Sequence, residues 1–159
     1  MLYQTDFDGY IKHDGCLFFS IAEWCRLLTN RTIVHAEVPK LIDELHYEIR
    51  ASYNQSIPAV GAEDDPKAEG IFVYDHEAVF NHLLKYLRSK IRVRYTGRIY
   101  MPWEEARGKT SFGRHGGDLV ILQILTKLGN GHFRNLDYDP WEPGTQMQDL
   151  KSLRFYMLL

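Results

Sequence analysis

The sequence contains only two cysteines, Cys16 and Cys25, among its 159 residues. Two thiols do not make a disulfide framework, and they exclude a zinc site built from cysteines alone. On one predicted helix, their spacing puts them about 13 Å apart along the axis, which is too far for a disulfide. We therefore expect both cysteines to be reduced thiols.

The sequence also lacks an excess of charge of either sign. Its 19 lysines and arginines against 21 aspartates and glutamates give a formal net charge of −2. A nucleic-acid-binding domain typically carries a basic surface, so the balance predicts no nucleic-acid partner. No apolar run approaches the length of a membrane span, and the first residues lack a basic and then an apolar signal segment. We expect a cytoplasmic protein with no membrane partner.

Sequence motifs for metal ions and nucleotides are absent. The histidines and cysteines do not occur at H-x-x-x-H, H-E-x-x-H or C-x-x-C spacing, and no glycine-rich phosphate-binding motif occurs. We therefore predict neither a metal site nor a cofactor. The ordinary proportions of hydrophobic residues (45%) and charged residues (25%) exclude a disordered or collagen-like chain and favour one domain spanning residues 1–159.

The pattern of apolar residues predicts helices first and strands afterwards. Apolar residues at helical spacing predict a largely buried helix from Cys16 to Leu28, and further helices are predicted over about 39–51 and 76–89, the last capped by Asp75. Residues 1–15 are predicted to be extended, and residues 52–70 to form a surface loop. Strands are predicted over 91–95, 98–101, 119–125, from 132 onwards and over 153–158, with a loop over 102–117. This order predicts an α+β fold.

Cys16 has the sequence context of a nucleophile. It follows Gly15 and opens the predicted buried helix. Unpaired N–H groups and the positive end of the helix dipole favour a thiolate there, and the same N–H groups can hold an oxyanion. The alternative is that Cys16 is a small buried hydrophobic residue. Cys25 points to the opposite side of the helix and is predicted to lie in the core.

A thiol nucleophile needs an imidazole partner, and His132 is the best placed of seven histidines. It follows a turn and opens a strand, which holds a side chain rigidly at one end of a sheet. His115, in a glycine-rich loop, and His13, three residues before Cys16, stay open as alternatives. The remaining histidines are predicted to lie on helix surfaces, at a cap or in a linker: His35, His46, His76 and His82.

An acceptor is needed to orient the imidazole, and three candidates follow His132. If the chain reverses at Asn135-Leu136, Asp139 lies opposite His132 at a Cβ separation of about 5 Å. If the strand instead continues to residue 139, the two are about 23 Å apart and Asp139 cannot serve. In that case Asn135 or Asp137 would have to act through another bend.

Together these motifs resemble the papain-like cysteine peptidase superfamily. The resemblance rests on Gly15-Cys16 opening an apolar helix, on Gly131-His132-Phe133 at a strand start and on the later Tyr138-Asp139-Pro140-Trp141. It is nearest to the bacteriocin-processing, double-glycine peptidase group. The wider pattern of Gln-Thr-Asp, Gly-Tyr-Ile, Asp-Gly-Cys and Tyr-Asp-Pro-Trp is similar to a small family of phage and prophage proteins.

The resemblance implies a papain-like α+β fold in which the N-terminal helix carries the cysteine and packs on a small antiparallel sheet. It implies that Cys16 is the nucleophile, His132 the general base and acid, Asp139 the orienting acceptor and Gln4 an oxyanion donor. Gln4 lies farther from the cysteine than is usual in these families, and the gap between His132 and Asp139 is short.

We therefore predict a thiol hydrolase that cleaves a peptide, isopeptide or related amide bond through an acyl-enzyme on Cys16, with a peptide or protein as substrate. The alternative is a catalytically inactive papain-like binding module, such as a phage-encoded inhibitor of a host protein. The sequence does not distinguish a protease from an amidase or acyltransferase, and it does not give the oligomeric state.

Overall fold

A computed structural model describes residues 1–47, 57–99, 114–115 and 118–159. In these ranges the helices are α1 (Gly9–Asp14), α2 (Cys16–Thr29), α3 (Val38–Tyr47) and α4 (His76–Tyr86), with short 3-10 turns at Gln4–Asp6 and His35–Glu37. The strands are β1 (Val60–Gly61), β2 (Phe72–Val73), β3 (Val93–Ile99), β4 (Arg114–His115), β5 (Asp118–Thr126), β6 (Gly131–Arg134) and β7 (Met147–Leu158).

The main sheet is antiparallel and is built around β5 and β7. Strand β7, the last in the chain, lies between β3 and β5. The other edge of β5 pairs with β4 at its beginning and with β6 towards its end. Strands β1 and β2 form a separate antiparallel pair. The predicted α+β class and its small antiparallel sheet are therefore confirmed.

Helix α2 is the centre of the core, as its apolar pattern predicts. All residues from Leu17 to Cys25 are buried, and the helix contacts α4 and β6. Cys25 is fully buried beside the Phe80 carbonyl, 3.8 Å from its sulfur, and burial raises the pKa of its thiol. The prediction that Cys25 lies in the core is confirmed, and both cysteines are free thiols.

Two predictions about irregular segments are wrong. Residues 1–15 are not extended, because Gly9–Asp14 form α1, a helix too short to be stable alone that packs Ile11 into the core. The predicted surface loop over 52–70 contains β1, whose residues are buried together with Ala59. In both segments tertiary burial overrides a local sequence rich in polar and glycine residues.

The predicted boundaries of the other helices and strands agree in part with the structure. Asp75 caps α4 as predicted, because its Oδ1 accepts a hydrogen bond from the Ala78 N–H at 3.0 Å. The two strands predicted between 91 and 101 are one strand, β3, with an irregularity between Tyr95 and Gly97. Of the predicted loop over 102–117 only β4 is described, and the end of the helix predicted to residue 51 lies outside the described residues. Within the described ranges, no helix is both long and apolar enough to cross a membrane.

Candidate active site

Cys16 is the first residue of α2 and lies at a bend between two helices. Gly15 joins the end of α1 to the beginning of α2, and the Cys16 side chain is partly exposed. The N–H groups of Cys16 and Leu17 have no acceptor one turn earlier within α2 itself, because the helix begins there. The thiol therefore lies beside backbone donors at the mouth of a rigid, buried helix.

His132 is presented by β6 and lies next to Cys16. It pairs with Ile124 of β5 and is only 6% exposed. Its Nε2 is 2.7 Å from Oδ1 of Asp139, and the Cys16 thiol lies close enough to the ring to raise its pKa. Because Asp139 occupies Nε2, the nitrogen that serves Cys16 is Nδ1. The imidazole thus links the thiol to the carboxylate.

A tight reversal of the chain brings Asp139 back to His132. Strand β6 ends at Arg134, and the Asn135 N–H donates to the Tyr138 carbonyl at 2.9 Å, which closes a turn. Of the two paths considered from the sequence, the chain takes the reversal at Asn135-Leu136.

The Asp139 carboxylate is saturated with donors. Its Oδ1 accepts from His132 and from the Trp141 N–H at 2.9 Å. Its Oδ2 accepts from the Thr145 N–H and hydroxyl, both at 2.8 Å, and lies 3.6 Å from the Arg134 guanidinium. These bonds fix the carboxylate and, through it, the orientation of the imidazole.

His132 and Asp139 shift each other's pKa. Burial alone would lower the pKa of His132, but the hydrogen bond to Asp139 and the neighbouring Cys16 raise it to about 9. Burial would raise the pKa of Asp139, but the hydrogen bonds from His132, Thr145 and Trp141 lower it to about 2. At neutral pH the pair is an imidazolium and a carboxylate. A protonated ring beside a thiol is suited to protonate a departing amine.

The structure separates the alternatives that the sequence leaves open. His13 is exposed near Cys16, whereas the side chain of His115, in β4, lies outside the described residues. Asn135 is buried and donates from its amide to the Ser20 carbonyl at 3.1 Å, and Asp137 is exposed. Neither Asn135 nor Asp137 contacts His132, so Asp139 is the acceptor that orients the ring.

Gln4 lies in the same depression as Cys16 and His132 despite its distance along the sequence. It is 1% exposed, and its amide donates to the Lys12 carbonyl at 2.5 Å, which ties it to the end of α1. Its backbone N–H donates to the Pro140 carbonyl at 2.8 Å, which ties it to the Asp139 turn. The unexpected helix α1 therefore explains how Gln4, twelve positions before Cys16 in the sequence, still lies at the site.

Two depressions meet at Cys16, and both are also lined by His13, Asn130 and Gly131. One, of about 560 Å³, is lined by His132, Trp141, Leu128 and Gln4. The other, of about 670 Å³, extends over the sheet and is lined by His76, Tyr95, Phe133 and two arginines, Arg98 and Arg154. A thiol at the junction of two depressions can reach a bond in an extended substrate.

Sequence reasoning missed several lining residues and misplaced one histidine. His46 was expected on a helix surface, but it is 4% exposed and its Nδ1 lies 2.8 Å from the Val60 carbonyl. His76 and Arg154 line the depression over the sheet, which no local pattern indicates, because their position depends on how β7 pairs with β3.

No group of three or more histidines, cysteines or acidic residues in the described ranges could hold a metal ion. Comparison of the chain with protein-family models, curated proteins and solved structures gives no match. The residues of the site therefore carry the functional argument.

Proposed function

We propose that this protein is a thiol hydrolase with a papain-like fold, which cleaves a peptide or related amide bond through an acyl-enzyme on Cys16. The observation that carries the proposal is the continuous arrangement of Cys16, His132 and Asp139, which come from a helix start, a strand and a turn. A buried helix that carries the cysteine against a sheet that carries the histidine also fits this fold.

The chemistry follows from the two ring nitrogens. In the reacting state the proton of the thiol is held on Nδ1 of His132, and the sulfur forms a bond to the substrate carbonyl carbon, whose oxygen becomes an oxyanion. When the oxyanion collapses, the C–N bond breaks and the nitrogen takes the proton from His132, so that the amine leaves. Water then attacks the thioester and gives a proton to His132. The C–S bond breaks, the acid is released and the thiol is restored.

Two kinds of donor are available to the oxyanion. The first are the backbone N–H groups at the beginning of α2. The second is the Gln4 amide, which has two hydrogens, of which the Lys12 carbonyl takes one. Both kinds of donor are held by the same segment of chain, because the Gln4 amide forms a hydrogen bond with α1 and α1 leads directly into α2 at Cys16.

The nucleophile is tested by labelling the two cysteines with iodoacetamide in folded protein, followed by mass spectrometry. We expect Cys16→Ala to abolish labelling and Cys25→Ala to leave it unchanged, because Cys25 is fully buried. His132→Ala is expected to slow the labelling of Cys16, because the ring no longer takes the thiol proton. Equal labelling of both cysteines, or of neither, contradicts the proposal.

The role of Gln4 is tested with a peptide aldehyde, which forms a tetrahedral adduct on the thiol with an oxyanion-like oxygen. Gln4→Ala is expected to weaken the binding of the aldehyde about ten- to a hundredfold, because one oxyanion donor is lost. Alkylation of Cys16 by iodoacetamide forms no oxyanion and serves as the control. An equal loss in both reactions would show that Gln4 only supports the fold.

The inactive binding module was suggested by the short gap between His132 and Asp139. The turn at Asn135 closes this gap at 2.7 Å, so the gap does not favour the alternative. A folded protein whose Cys16 reacts no faster than a free thiol would favour it again. The cytoplasmic location and the peptide or protein partner stay predictions.

A further inference from the structure

The two depressions that meet at Cys16 have different roles in the proposed reaction. His132 lines only the depression that contains Trp141 and Leu128. In that reaction the departing nitrogen takes its proton from His132, so the leaving group lies on the His132 side. The acyl portion of the substrate therefore lies in the other depression, over the sheet.

His76 is a histidine on the acyl side that the proposed mechanism does not use. It lines the depression over the sheet, as Cys16 does. It is the first residue of α4, directly after the Asp75 cap, so the helix fixes its backbone. Its ring stacks on Tyr95 with centroids 4.3 Å apart, and the centroid of the Tyr156 ring lies 5.8 Å away. The imidazole is therefore held in place before any substrate binds.

The Tyr156 hydroxyl fixes the position of the proton on this imidazole. Tyr156 is fully buried, and its hydroxyl oxygen lies 2.8 Å from Nδ1 of His76. Among the described residues, this hydroxyl has no other hydrogen-bond partner. A buried O–H without an acceptor costs about 1–3 kcal/mol, so the hydroxyl donates its hydrogen to Nδ1. Nδ1 is then the acceptor of the ring, and the ring proton lies on Nε2.

Two pKa shifts keep both groups in this form. Burial raises the pKa of Tyr156 well above its ordinary value, so the hydroxyl keeps its hydrogen. Burial, and then the nearby charge of Arg154, lower the pKa of His76 to about 4, so the imidazole is neutral at physiological pH. A neutral imidazole has one N–H, and here it lies on the nitrogen that the Tyr156 hydroxyl does not contact.

The Nε2–H of His76 is the polar group that this arrangement leaves to the depression. In the part of the chain that the structure describes, Nε2 has no hydrogen-bond partner, whereas Nδ1 is occupied. Nε2 can therefore donate a hydrogen bond to a ligand but cannot accept one. A site with a fixed donor discriminates against an analogue that offers no acceptor there, because the donor then loses its bond to water without a replacement.

We propose that His76 is a specificity-determining residue, whose Nε2–H binds a carbonyl oxygen of the acyl portion of the substrate. This inference rests on the proposed hydrolase function. The carbonyl belongs either to the main chain of the acyl portion or to a carboxamide side chain, and both present the same oxygen to the donor. It is distinct from the carbonyl that Cys16 attacks, whose oxygen is bound by the donors at the beginning of α2.

The position of the ring proton is tested in the unaltered protein. NMR spectra that correlate the carbon-bound protons of an imidazole with its two nitrogens distinguish the neutral tautomers. We expect the His76 ring to carry its proton on Nε2 at neutral pH. This measurement requires no substitution, so it does not depend on whether a variant folds.

The acceptor is tested with peptidyl acyloxymethyl ketones, which alkylate Cys16 at rates that depend on their acyl side. The main-chain arm compares an amide with a thioamide, whose sulfur is a weak acceptor, before the first and, separately, the second residue from the reactive carbon. The side-chain arm compares glutamine with homoleucine, which has the same shape without the amide, at the same two residues. We expect one carbonyl probe to react about five- to tenfold faster than its counterpart, as one neutral hydrogen bond allows. The arm that shows this preference identifies the source of the carbonyl.

His76→Phe is expected to remove the preference, because phenylalanine keeps an aromatic ring but has no N–H. His76→Gln is expected to retain part of it, since the amide nitrogen of glutamine can take the place of Nε2. His82→Phe is the matched control, because His82 lies on the same helix outside the depression, where its Nε2 is 2.8 Å from Oε2 of Glu44. A merely structural role of His76 would slow both members of a pair equally and leave their ratio unchanged.

Iodoacetamide labelling separates this inference from the proposed function. If Cys16 reacts with iodoacetamide but no carbonyl probe is faster than its counterpart, the specificity is overturned and the hydrolase stands. If Cys16 reacts with neither reagent, both are overturned. A ratio that is unchanged in His76→Phe, or a ring proton on Nδ1 in the unaltered protein, overturns the role of His76.

Discussion

Exchanging Asp139 for asparagine is expected to lower the rate at which Cys16 is acylated by about a thousandfold, within the range assigned to general acid–base catalysis. The replacement has the same shape as aspartate but offers only one acceptor oxygen. In the structure each carboxylate oxygen faces two donors, which are His132 and Trp141 on one side and the Thr145 backbone and hydroxyl on the other. Either orientation of the amide places an NH₂ group against a backbone N–H.

The same exchange is expected to lower the pKa of His132 from about 9 towards its ordinary value of 6.5, because the ring loses a carboxylate partner. The measurement is a pH titration of the imidazole carbon-bound proton by NMR. Asp137→Asn is the control, because Asp137 is exposed and does not contact the ring. An unchanged titration in the Asp139 variant would contradict the assignment of Asp139 as the orienting residue.

The pair also links stability to pH in a defined window. Asp139, whose pKa is lowered from 3.8 to about 2, stabilises the fold above its ordinary pKa, and this contribution is lost as the pH falls through about 2. It amounts to roughly 1–2 kcal/mol. His132, whose pKa is raised, contributes fully below 6.5, and its contribution is lost as the pH rises through about 9. The pair is therefore most effective between about pH 4 and 6.5.

Replacing Gly15 with alanine is expected to lower the free energy of unfolding by about 2–3 kcal/mol, the cost of overpacking a tight site. A Cβ at this position would lie 2.4 Å from the Ile11 carbonyl oxygen and 2.9 Å from Cε2 of Phe19. The first contact is to backbone, so the bend between α1 and α2 must shift. Because Cys16 is the next residue, we also expect slower labelling of its thiol. Urea denaturation and iodoacetamide labelling measure the two effects.

Gly131→Ala is the matched control for this prediction. A Cβ at Gly131 would meet only the Gln123 side chain, at an ordinary contact distance of 3.7 Å. We expect its free energy of unfolding to change by less than about 1 kcal/mol, as for a Gly→Ala exchange without strain. Equal losses in the two variants would show that the clash at Gly15 is relieved without moving the helices.

The sequence was sufficient to predict the elements whose pattern is local. The buried face of α2, the core position of Cys25 and the Asp75 cap follow from spacing and from capping chemistry, and all three are observed. Helix α1 was missed, because a helix of six residues depends on the burial of Ile11 in the core rather than on its own propensity.

The candidate site was predictable as a set of residues but not as a geometry. Cys16 and His132 were found from their positions at element starts, whereas the contact between His132 and Asp139 depended on where the chain turned. The depression over the sheet was not predictable, because the partnership of Arg98 with Arg154 joins strands 56 residues apart. Register between distant strands is set by the whole core, and no short segment encodes it.

The position of β7 has a consequence for the order in which the sheet is assembled. This strand follows both β3 and β5 along the chain, yet it lies between them in the sheet. The two strands are therefore joined only when β7 pairs with both. Thr145, which donates two hydrogen bonds to Asp139, lies just before β7 in the chain. The carboxylate that orients His132 is therefore fixed in the same step in which β7 pairs. In the proposed mechanism the arrangement of Cys16, His132 and Asp139 is therefore completed only when β7 takes its place in the sheet.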